Sequence, residues 1–416
     1  MKIAYLVGDF PSLSETFILN QITGLIDRGC QIDIYGHKPT PTAKIHACVL
    51  NYRLLEHTYY YEALPHNYVL RLLKALLLYL KHSFTAPLLL LKSLNVQQFG
   101  RQALSLRLFY AAISCLDHKA TYDVIHCHFG HNGLLGMNLR TIGALQGKII
   151  TTFHARDITQ KLSELGEHAY DQLFLESQLI LPISQHWQAK LYQLGCSAHK
   201  IQVHHMGIDC QKFTFIPRQY NQEGTVNIIS VARLVEKKGI EYGIRSIQCL
   251  KRLGYQVHYL VIGDGDLYDD LRQLIIDLNL DEEISLLGWK SQDELLEMMN
   301  SAHIFFAPSV TSAQGDQEGI PVALMEAMAM GLPVVSTQHS GIPELVDQGI
   351  SGYLAPERDV KVLAEQIAHL IDESEDWPKI GRAGRLKVET DFNIDQLNAV
   401  LYDLCKNLKH CRTHMG

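Results

Sequence analysis

Short runs of β-branched and aliphatic residues alternate with amphipathic segments along this chain, in two successive series. In the first, KIAYLV (2–7) reads as a buried strand and ETFILNQITGLIDRG (15–29) as a helix stopped at Gly29. QIDIYG, DVIHCHF, GKIITTF and QLILPIS supply further strands. The second series starts near Thr225, with strands TVNIISVA, VHYLVIG, EISLLG, HIFFAP and LPVVST and helices around 239–253, 266–279, 291–301 and 320–330. Strands that alternate with helices build parallel sheets, because each crossover helix returns the chain to the end of the sheet where the previous strand began. HHMGIDCQKFTFIPRQYNQEG (204–224), with Pro, Gly and weak periodicity, reads as the linker. The expected fold is α/β: two doubly wound Rossmann-like domains, residues 1–208 and 209–392, facing one another across a cleft. A last helix, from about 393 within 393–416, is expected to pack back on one of them, the N-terminal domain included.

Composition narrows the class. At 416 residues the chain is long enough for two or three domains with real cores. Its 37 basic and 44 acidic residues give a net charge of −7, which argues against nucleic-acid binding. Nine scattered cysteines without a Cys-x-x-Cys pair fit reduced thiols in a cytoplasmic protein. MKIAYLVGDF turns polar too early for a signal peptide, and the greasiest stretch, 69–94, is too interrupted to span a membrane. From Ala63 to Leu116 there are six Lys/Arg and no Asp or Glu in a leucine-rich helical stretch, with Arg71, Lys74, Lys81 and His82 on one helical face. It reads either as a basic surface for anionic lipid or a lipid-linked substrate, or as a helical layer packed on the sheet with snorkelling lysines.

The chemistry concentrates in AQGDQEGIPVALMEAMAMGLPVVST. Glu318 precedes a helix expected to begin near Ile320, Gly319 permits close backbone approach, Pro321 suits the first turn, and Glu326 lies inside the helix. The helix start is an anion site, and two carboxylates about 10 Å apart suit a ligand laid along it with hydroxyls at both ends. That separation is too wide for a retaining-glycosidase carboxylate pair. In SVARLVEKKGIEYGI the loop after a strand carries Arg233, Lys237 and Lys238, cations suited to phosphate at the end of a parallel sheet where such folds bind ligands.

Arg233 with Lys238-Gly239, followed some eighty residues later by EGIPVALME, resembles glycosyltransferase family 4, the retaining nucleotide-sugar enzymes of GT-B fold. FPSLSETFILNQI, DVIHCHFG and TTFHARD are similar to members that build bacterial exopolysaccharides of the colanic-acid type. The resemblance implies roles: Arg233 and Lys238 on the donor diphosphate; Glu318, Gly319, Ile320 and Pro321 on the donor sugar; Glu326 on the ribose; His154 beside the sugar, with His154 and Glu318 serving catalysis. It also implies retention of configuration and no metal or other cofactor, the nucleotide sugar being a substrate.

Where many members carry a Gly-Gly loop after the first strand, this chain has GDFPSLSETF, with Gly8 alone; Ser14, Glu15 and Thr16 (with Ser12) are assigned to the acceptor or diphosphate edge. In HCHFGH, His126 and His128 share a strand face, which suits a metal, but no nearby carboxylate completes a ligand set. They are assigned to the acceptor side with Asp157, while packing of these histidines stays open. VIGDGDLYDDL lacks the third glycine of a dinucleotide fingerprint, so Asp264 and Asp266 are expected to cap the next helix. Trp289 or Lys290 is placed against a nucleobase.

The expected activity is transfer of a hexose or aminohexose from a UDP- or GDP-sugar to a glycan or lipid-linked acceptor. The expected setting is the cytoplasm, on the inner membrane face if the basic segment touches anionic lipid. A nucleotide-sugar epimerase of the same fold and a non-catalytic nucleotide-sugar-binding subunit are the alternatives.

Overall fold

A computed structural model describes residues 1–12, 15–38, 46–116, 121–220 and 224–410. Among them the strands form two parallel six-stranded sheets. The first joins β1 (Lys2–Asp9), β2 (Gln31–His37), β3 (Thr58–Tyr60), β4 (Thr121–His128), β5 (Gln146–Phe153) and β6 (Leu179–Pro182) in the order β3-β2-β1-β4-β5-β6. The second joins β7 (Val226–Val231), β8 (Val257–Ile262), β9 (Ile284–Leu286), β10 (Ile304–Ala307), β11 (Val334–Thr337) and β12 (Tyr353–Ala355) in the order β12-β11-β10-β7-β8-β9. Both are the same doubly wound order, and the GT-B architecture expected from the sequence is present.

The central strands are buried on both faces, which explains why they read as continuous apolar runs: Ile3, Ala4, Tyr5 and Leu6 in β1, and Ile228 and Ile229 in β7, are inaccessible to solvent. Each sheet has a switch point where the winding reverses. One lies between β1 and β4, with Ile3 opposite Val124; the other lies between β7 and β10, with Ile228 opposite Ile304. Ligands of such sheets bind beyond the carboxyl ends of these strands. Those ends carry Asp9 to Ser12, His128 to Gly130, Ala232 to Gly239 and Pro308 to Ile320.

Two three-residue edge strands, β3 and β12, are absent from the sequence expectation. Three residues are too few to display an alternation, and β9, equally short, is legible only because Leu287 extends its apolar run.

Helix Ile394–His410 lies on the first domain. Leu401 and Cys405 are buried with the β1 and β2 side chains, Asn398 Nδ2 donates to the Asn20 carbonyl at 3.2 Å, and Lys148 Nζ to the Leu408 carbonyl at 2.6 Å. The two domains are also joined at Glu344, whose carboxylate accepts from the backbone N–H groups of Gln185 and His186 at 2.9 and 3.0 Å and pairs with His205 at 3.1 Å. Glu344 thereby caps a helix of the opposite domain.

The basic segment differs from both sequence readings, the exposed basic surface and the packed layer. In helix Tyr68–His82, Ala75 and His82 are buried, Arg71 donates to the carbonyls of Pro65 and Ser105, and Lys74 pairs with Glu62 at 2.9 Å. Leu73, Leu76 and Leu77 are 55%, 57% and 67% exposed. Arg71, Lys74 and His82 are therefore turned inward, where backbone carbonyls and a carboxylate meet the two cations, while Lys81 and the leucine face point outward. Among the described residues no helix is long and apolar enough to cross a membrane.

Candidate active site

The loop after β7 and the start of helix Val322–Ala329 meet at the second switch point. Lys238 Nζ lies 2.9 Å from Glu318 Oε2, and Lys237 Nζ lies 3.7 Å from Oε1 of the same carboxylate and 3.0 Å from Asp316. The loop turns into helix Ile240–Arg252 through Gly239 at φ 64°, where a Cβ would fall 1.8 Å from the Pro308 carbonyl oxygen. Only glycine lets the two loops close on each other here. Arg233 is exposed, and its guanidinium has no hydrogen-bond or ion-pair partner among the described residues. Ser230, Ala232, Lys238, Pro308, Pro321 and Ala323 line a narrow crevice of about 10 Å³ between these elements.

Glu318 is buried, which by itself would raise its pKa, but Lys238 and then Lys237 more than offset this and hold it below the usual carboxylate range. Its backbone is fixed as well. The Glu318 N–H donates to His339 Nε2 at 3.0 Å, and His339 Nδ1 donates to Glu357 at 2.6 Å. With Nε2 accepting, His339 is neutral with its proton on Nδ1. Glu357 in turn accepts from the Thr311 N–H at 2.7 Å, and Ser340 Oγ donates to the Glu318 carbonyl at 2.7 Å. His339, Glu357 and Thr311 are absent from the sequence assignment. The available signal was a histidine just beyond β11, at the same carboxyl rim.

The helix begins at Val322, two residues later than expected, because Pro321 sits at ψ 122° as its N-cap; no side chain caps it. Gly319 faces the other domain rather than open space: a Cβ there would fall 2.5 Å from Ile183 Cδ1. Ile320 and Pro321 are buried, so the contribution they can make to a ligand is backbone. Glu326 is half-buried, makes no side-chain hydrogen bond among the described residues, and is pushed up by burial to about 7.

That carboxyl allows a stability test. A carboxyl whose folded pKa is raised stabilises the fold below its ordinary range and loses that contribution as pH rises through about 7. Glu326→Gln removes the liability, on the order of 2 kcal/mol after allowing for partial solvent access. The substituted protein should melt a few degrees higher than the parent at pH 8 and level with it near pH 4, below the ordinary carboxyl range, in scanning fluorimetry without ligand. Parallel curves would show that Glu326 is not desolvated.

Across the cleft, three imidazoles stack at the carboxyl ends of β4 and β5. Ring centroids are 4.7 Å apart for His126 and His128 and 5.4 Å for His128 and His154. Burial first, and neighbouring histidines second, hold His126 at about 3 and His128 well below its ordinary value; His154 is held at about 3 by burial and then His131. All three are neutral. His126 Nε2 bonds Thr152 Oγ1 at 2.8 Å, His128 Nε2 bonds Gln21 Oε1 at 2.9 Å, and His128 Nδ1 bonds His154 Nε2 at 3.2 Å. These inward hydrogen bonds make His126 and His128 part of the wall behind His154. Phe17 and Phe129 pack on His154 with centroids 5.0 and 4.4 Å away.

Asp157 is buried too. Its Oδ2 accepts from the Gly130 N–H at 2.7 Å, so it holds the start of helix Gly130–Ile142, and burial, only partly offset by that and other backbone bonds, raises it to about 8. Glu15 and Thr16 open helix Thr16–Asp27 beside Phe17; Glu15 is lifted to about 7 by burial and then by Asp9. Ser14 lies outside the described residues. Trp289, 65% exposed, and Lys290 follow β9, separated from β7 by β8. Asp264 and Asp266 do not cap the next helix, whose N-cap is Leu267. Their loop folds against the Arg233 loop, where the Leu234 N–H donates to the Asp264 carbonyl at 2.9 Å, and Asp264 Oδ1 accepts from Gly265 N–H.

Residues 14–212 match Glycosyltransferase Family 4, and residues 212–387 match Glycosyl transferases group 1. The amylovoran biosynthesis glycosyltransferase AmsK of Erwinia amylovora is 41% identical over 399 residues, 94% of this chain and 96% of that protein. The chain belongs to glycosyltransferase family 4. The putative colanic acid biosynthesis glycosyltransferase WcaL of Escherichia coli K12 is 39% identical over 420 residues, 98% of this transferase and 100% of the relative. In fold, the transferase matches Anabaena HepE in complex with UDP at a TM-score of 0.70 and 16% identity, over 98% of this chain and 100% of the other.

Proposed function

We propose that this family 4 transferase moves a hexose or aminohexose from a nucleoside-diphosphate sugar, with retention and without a metal, to a lipid-linked glycan of an extracellular polysaccharide, at a membrane face. The observation that carries the reading is the Lys238–Glu318 contact at an uncapped helix start, with Arg233 unpartnered and Glu326 unengaged beside it. In this reading Arg233 and Lys238 take the diphosphate, Glu326 the ribose hydroxyls, and Glu318 with the Gly319–Ile320 backbone the sugar. Trp289 or Lys290 takes the base. His154, neutral and held from behind by His128, meets the sugar from the opposite domain. The names of the relatives, AmsK and WcaL, support an extracellular polysaccharide as product, and the outward leucines of helix Tyr68–His82 support a membrane face.

Thermal shift with UDP, GDP, ADP and NAD, all in EDTA, tests the donor half. A nucleotide at about 100 times its dissociation constant adds roughly 2.7 kcal/mol to the state that binds it. One nucleoside diphosphate should raise the melting temperature by a few degrees, and Arg233→Ala should abolish the rise. A rise with none of them in EDTA that appears on adding a divalent cation would refute metal independence. A rise with none under either condition would refute the donor site.

A further inference from the structure

Two consecutive residues of the turn after β11 grip the backbone on both sides of the Glu318 Cα. The Glu318 N–H donates to His339 Nε2 at 3.0 Å, and the Glu318 carbonyl accepts from Ser340 Oγ at 2.7 Å. The turn lies close beneath the loop it holds: a Cβ on Gly341 would fall 2.8 Å from Ile320 Cγ1 and 3.3 Å from the Gly319 carbonyl oxygen. Ser340 sits at φ 49°, in the left-handed region that disfavours any side chain. Glycine would adopt that conformation more easily, but it would leave the Glu318 carbonyl without its donor.

His339 is inaccessible to solvent, and the side chain behind it decides where its proton sits. A ring that accepts through Nε2 carries its proton on Nδ1, and Glu357 Oε1 receives it at 2.6 Å. Glu357 is anchored in turn: the Thr311 N–H donates to Oε2 at 2.7 Å and Thr311 Oγ1 donates to Oε1 at 3.2 Å. Thr311 belongs to the same loop after β10 that leads into Glu318. The bonds thus form a closed circuit, from Thr311 through Glu357 and His339 back to Glu318, that ties together the carboxyl ends of β10, β11 and β12.

The circuit has a consequence on the cleft side. In a trans peptide the carbonyl and the N–H point in opposite directions, so Ser340, by pinning the Glu318 carbonyl, also sets the direction of the Gly319 N–H. That N–H and Glu318 Oε1 have no hydrogen-bond partner among the described residues, Lys237 Nζ being 3.7 Å from Oε1. They belong to the residues assigned above to the donor sugar, and such groups stabilise a reacting ligand best when they are aimed beforehand. We infer that His339 and Ser340, with Glu357 setting the His339 tautomer, are positioning residues that preset the Glu318–Gly319 peptide for the donor sugar. The inference rests on the transfer reading above and adds to it the residues through which Glu318 is held.

Ser340→Gly and Ser340→Thr separate positioning from stability, because they move the two in opposite directions. Glycine relaxes the left-handed backbone but removes the hydroxyl; threonine keeps the hydroxyl but, being β-branched, aggravates the strain. Nucleoside diphosphate release, with the donor picked out by the thermal screen, gives kcat/KM, and calorimetry gives the affinity for the nucleoside diphosphate itself. Ser340→Gly should lower kcat/KM by at least about tenfold although it melts higher than Ser340→Thr, which should stay within about threefold of the parent. Glu357→Gln offers one acceptor where the Thr311 N–H and the His339 Nδ1–H each need one, and should also lower kcat/KM by at least about tenfold. The nucleoside diphosphate lacks the sugar, so its affinity should change by less than about twofold in all three proteins. Activity that follows melting temperature, with Ser340→Gly at the parent rate and Ser340→Thr impaired, would overturn the proposal. So would a loss of nucleoside diphosphate affinity in Ser340→Gly as large as its loss of kcat/KM, because the whole loop would then have moved. A parent that binds no nucleoside diphosphate would remove the donor reading and this role with it. A parent that binds and turns over, beside an indifferent Ser340→Gly, would remove the positioning role alone.

Discussion

Arg233→Ala and Lys238→Ala should each lower kcat/KM by more than tenfold, at least about 1.4 kcal/mol of transition-state stabilisation, yet differ in what they do to the fold. When the bond to the diphosphate breaks, negative charge builds on the leaving group. Cations already in place stabilise it without having to reorganise. Both side chains come from one loop at the carboxyl end of β7, and Gly239 fixes where that loop turns. Arg233 is exposed and unpartnered, so its loss should leave the urea midpoint unchanged. Lys238 is the near partner of a buried carboxylate at 2.9 Å, with Lys237 remaining at 3.7 Å. Its loss should cost on the order of 2 kcal/mol, less than for a fully stranded buried charge because Lys237 stays. Adding Glu318→Gln to Lys238→Ala should restore the midpoint without restoring activity. Nucleoside diphosphate release, with the donor picked out by the thermal screen, is the assay. Parent-like kcat/KM in both single substitutions would remove the diphosphate assignment.

What was legible in the sequence follows from what leaves a periodic or chemical trace. Nine longer strands and the three-residue β9 show as apolar runs, the central ones because both faces are covered, and the basic loop and the EGIPVALME helix start each show in a single line of sequence. The contact between Lys238 and Glu318, eighty residues apart, requires β7 and β10 to be neighbours, a strand order that the local pattern does not encode. The three-residue edge strands β3 and β12 leave no such trace. The orientation of helix Tyr68–His82 misleads for a different reason. A helical wheel tells which residues share a face, but not that Arg71 and Lys74 would find the Pro65, Ser105 and Ala63 carbonyls beneath them and turn the leucines outward.

His126 and His128 illustrate the same limit at the site. Their alternation puts both rings on one face of β4, and that much is sequence. Which face meets the cleft depends on Gln21 and Thr152, supplied by a helix and a strand that the local pattern does not join to them. The packing alternative, left open from the sequence, is what the hydrogen bonds favour for both residues. Asp157 joins them for a related reason: its carboxylate meets the Gly130 N–H across two strand ends, a pairing no spacing encodes.

Gln21→Leu should lower kcat at least tenfold with little change in donor affinity, although Gln21 lies behind the stack. Gln21 Oε1 accepts from Tyr5 Oη at 3.1 Å and from His128 Nε2 at 2.9 Å. A carbonyl oxygen cannot donate, so the His128 proton is on Nε2 and its Nδ1 is a lone pair. That lone pair accepts from His154 Nε2 at 3.2 Å, which puts the His154 proton there and leaves His154 Nδ1 as an acceptor. The chain of bonds thus sets the tautomer that His154 offers to a sugar hydroxyl, and Gln21 is a positioning residue acting through His128. Leucine removes the fixed acceptor, frees both rings to change tautomer, and strands two buried donors at about 1–3 kcal/mol each. Rates are therefore compared well below the melting temperature. Gln21→Glu keeps both acceptor bonds and should recover most of kcat, whereas a merely structural role would make activity follow stability in both proteins. Because burial holds His154 near 3, the parent's kcat should show no imidazole limb between pH 5 and 8. Such a limb in the parent, or equal kcat in Gln21→Leu and the parent, would mean that His154 does not meet the sugar in the tautomer set by Gln21.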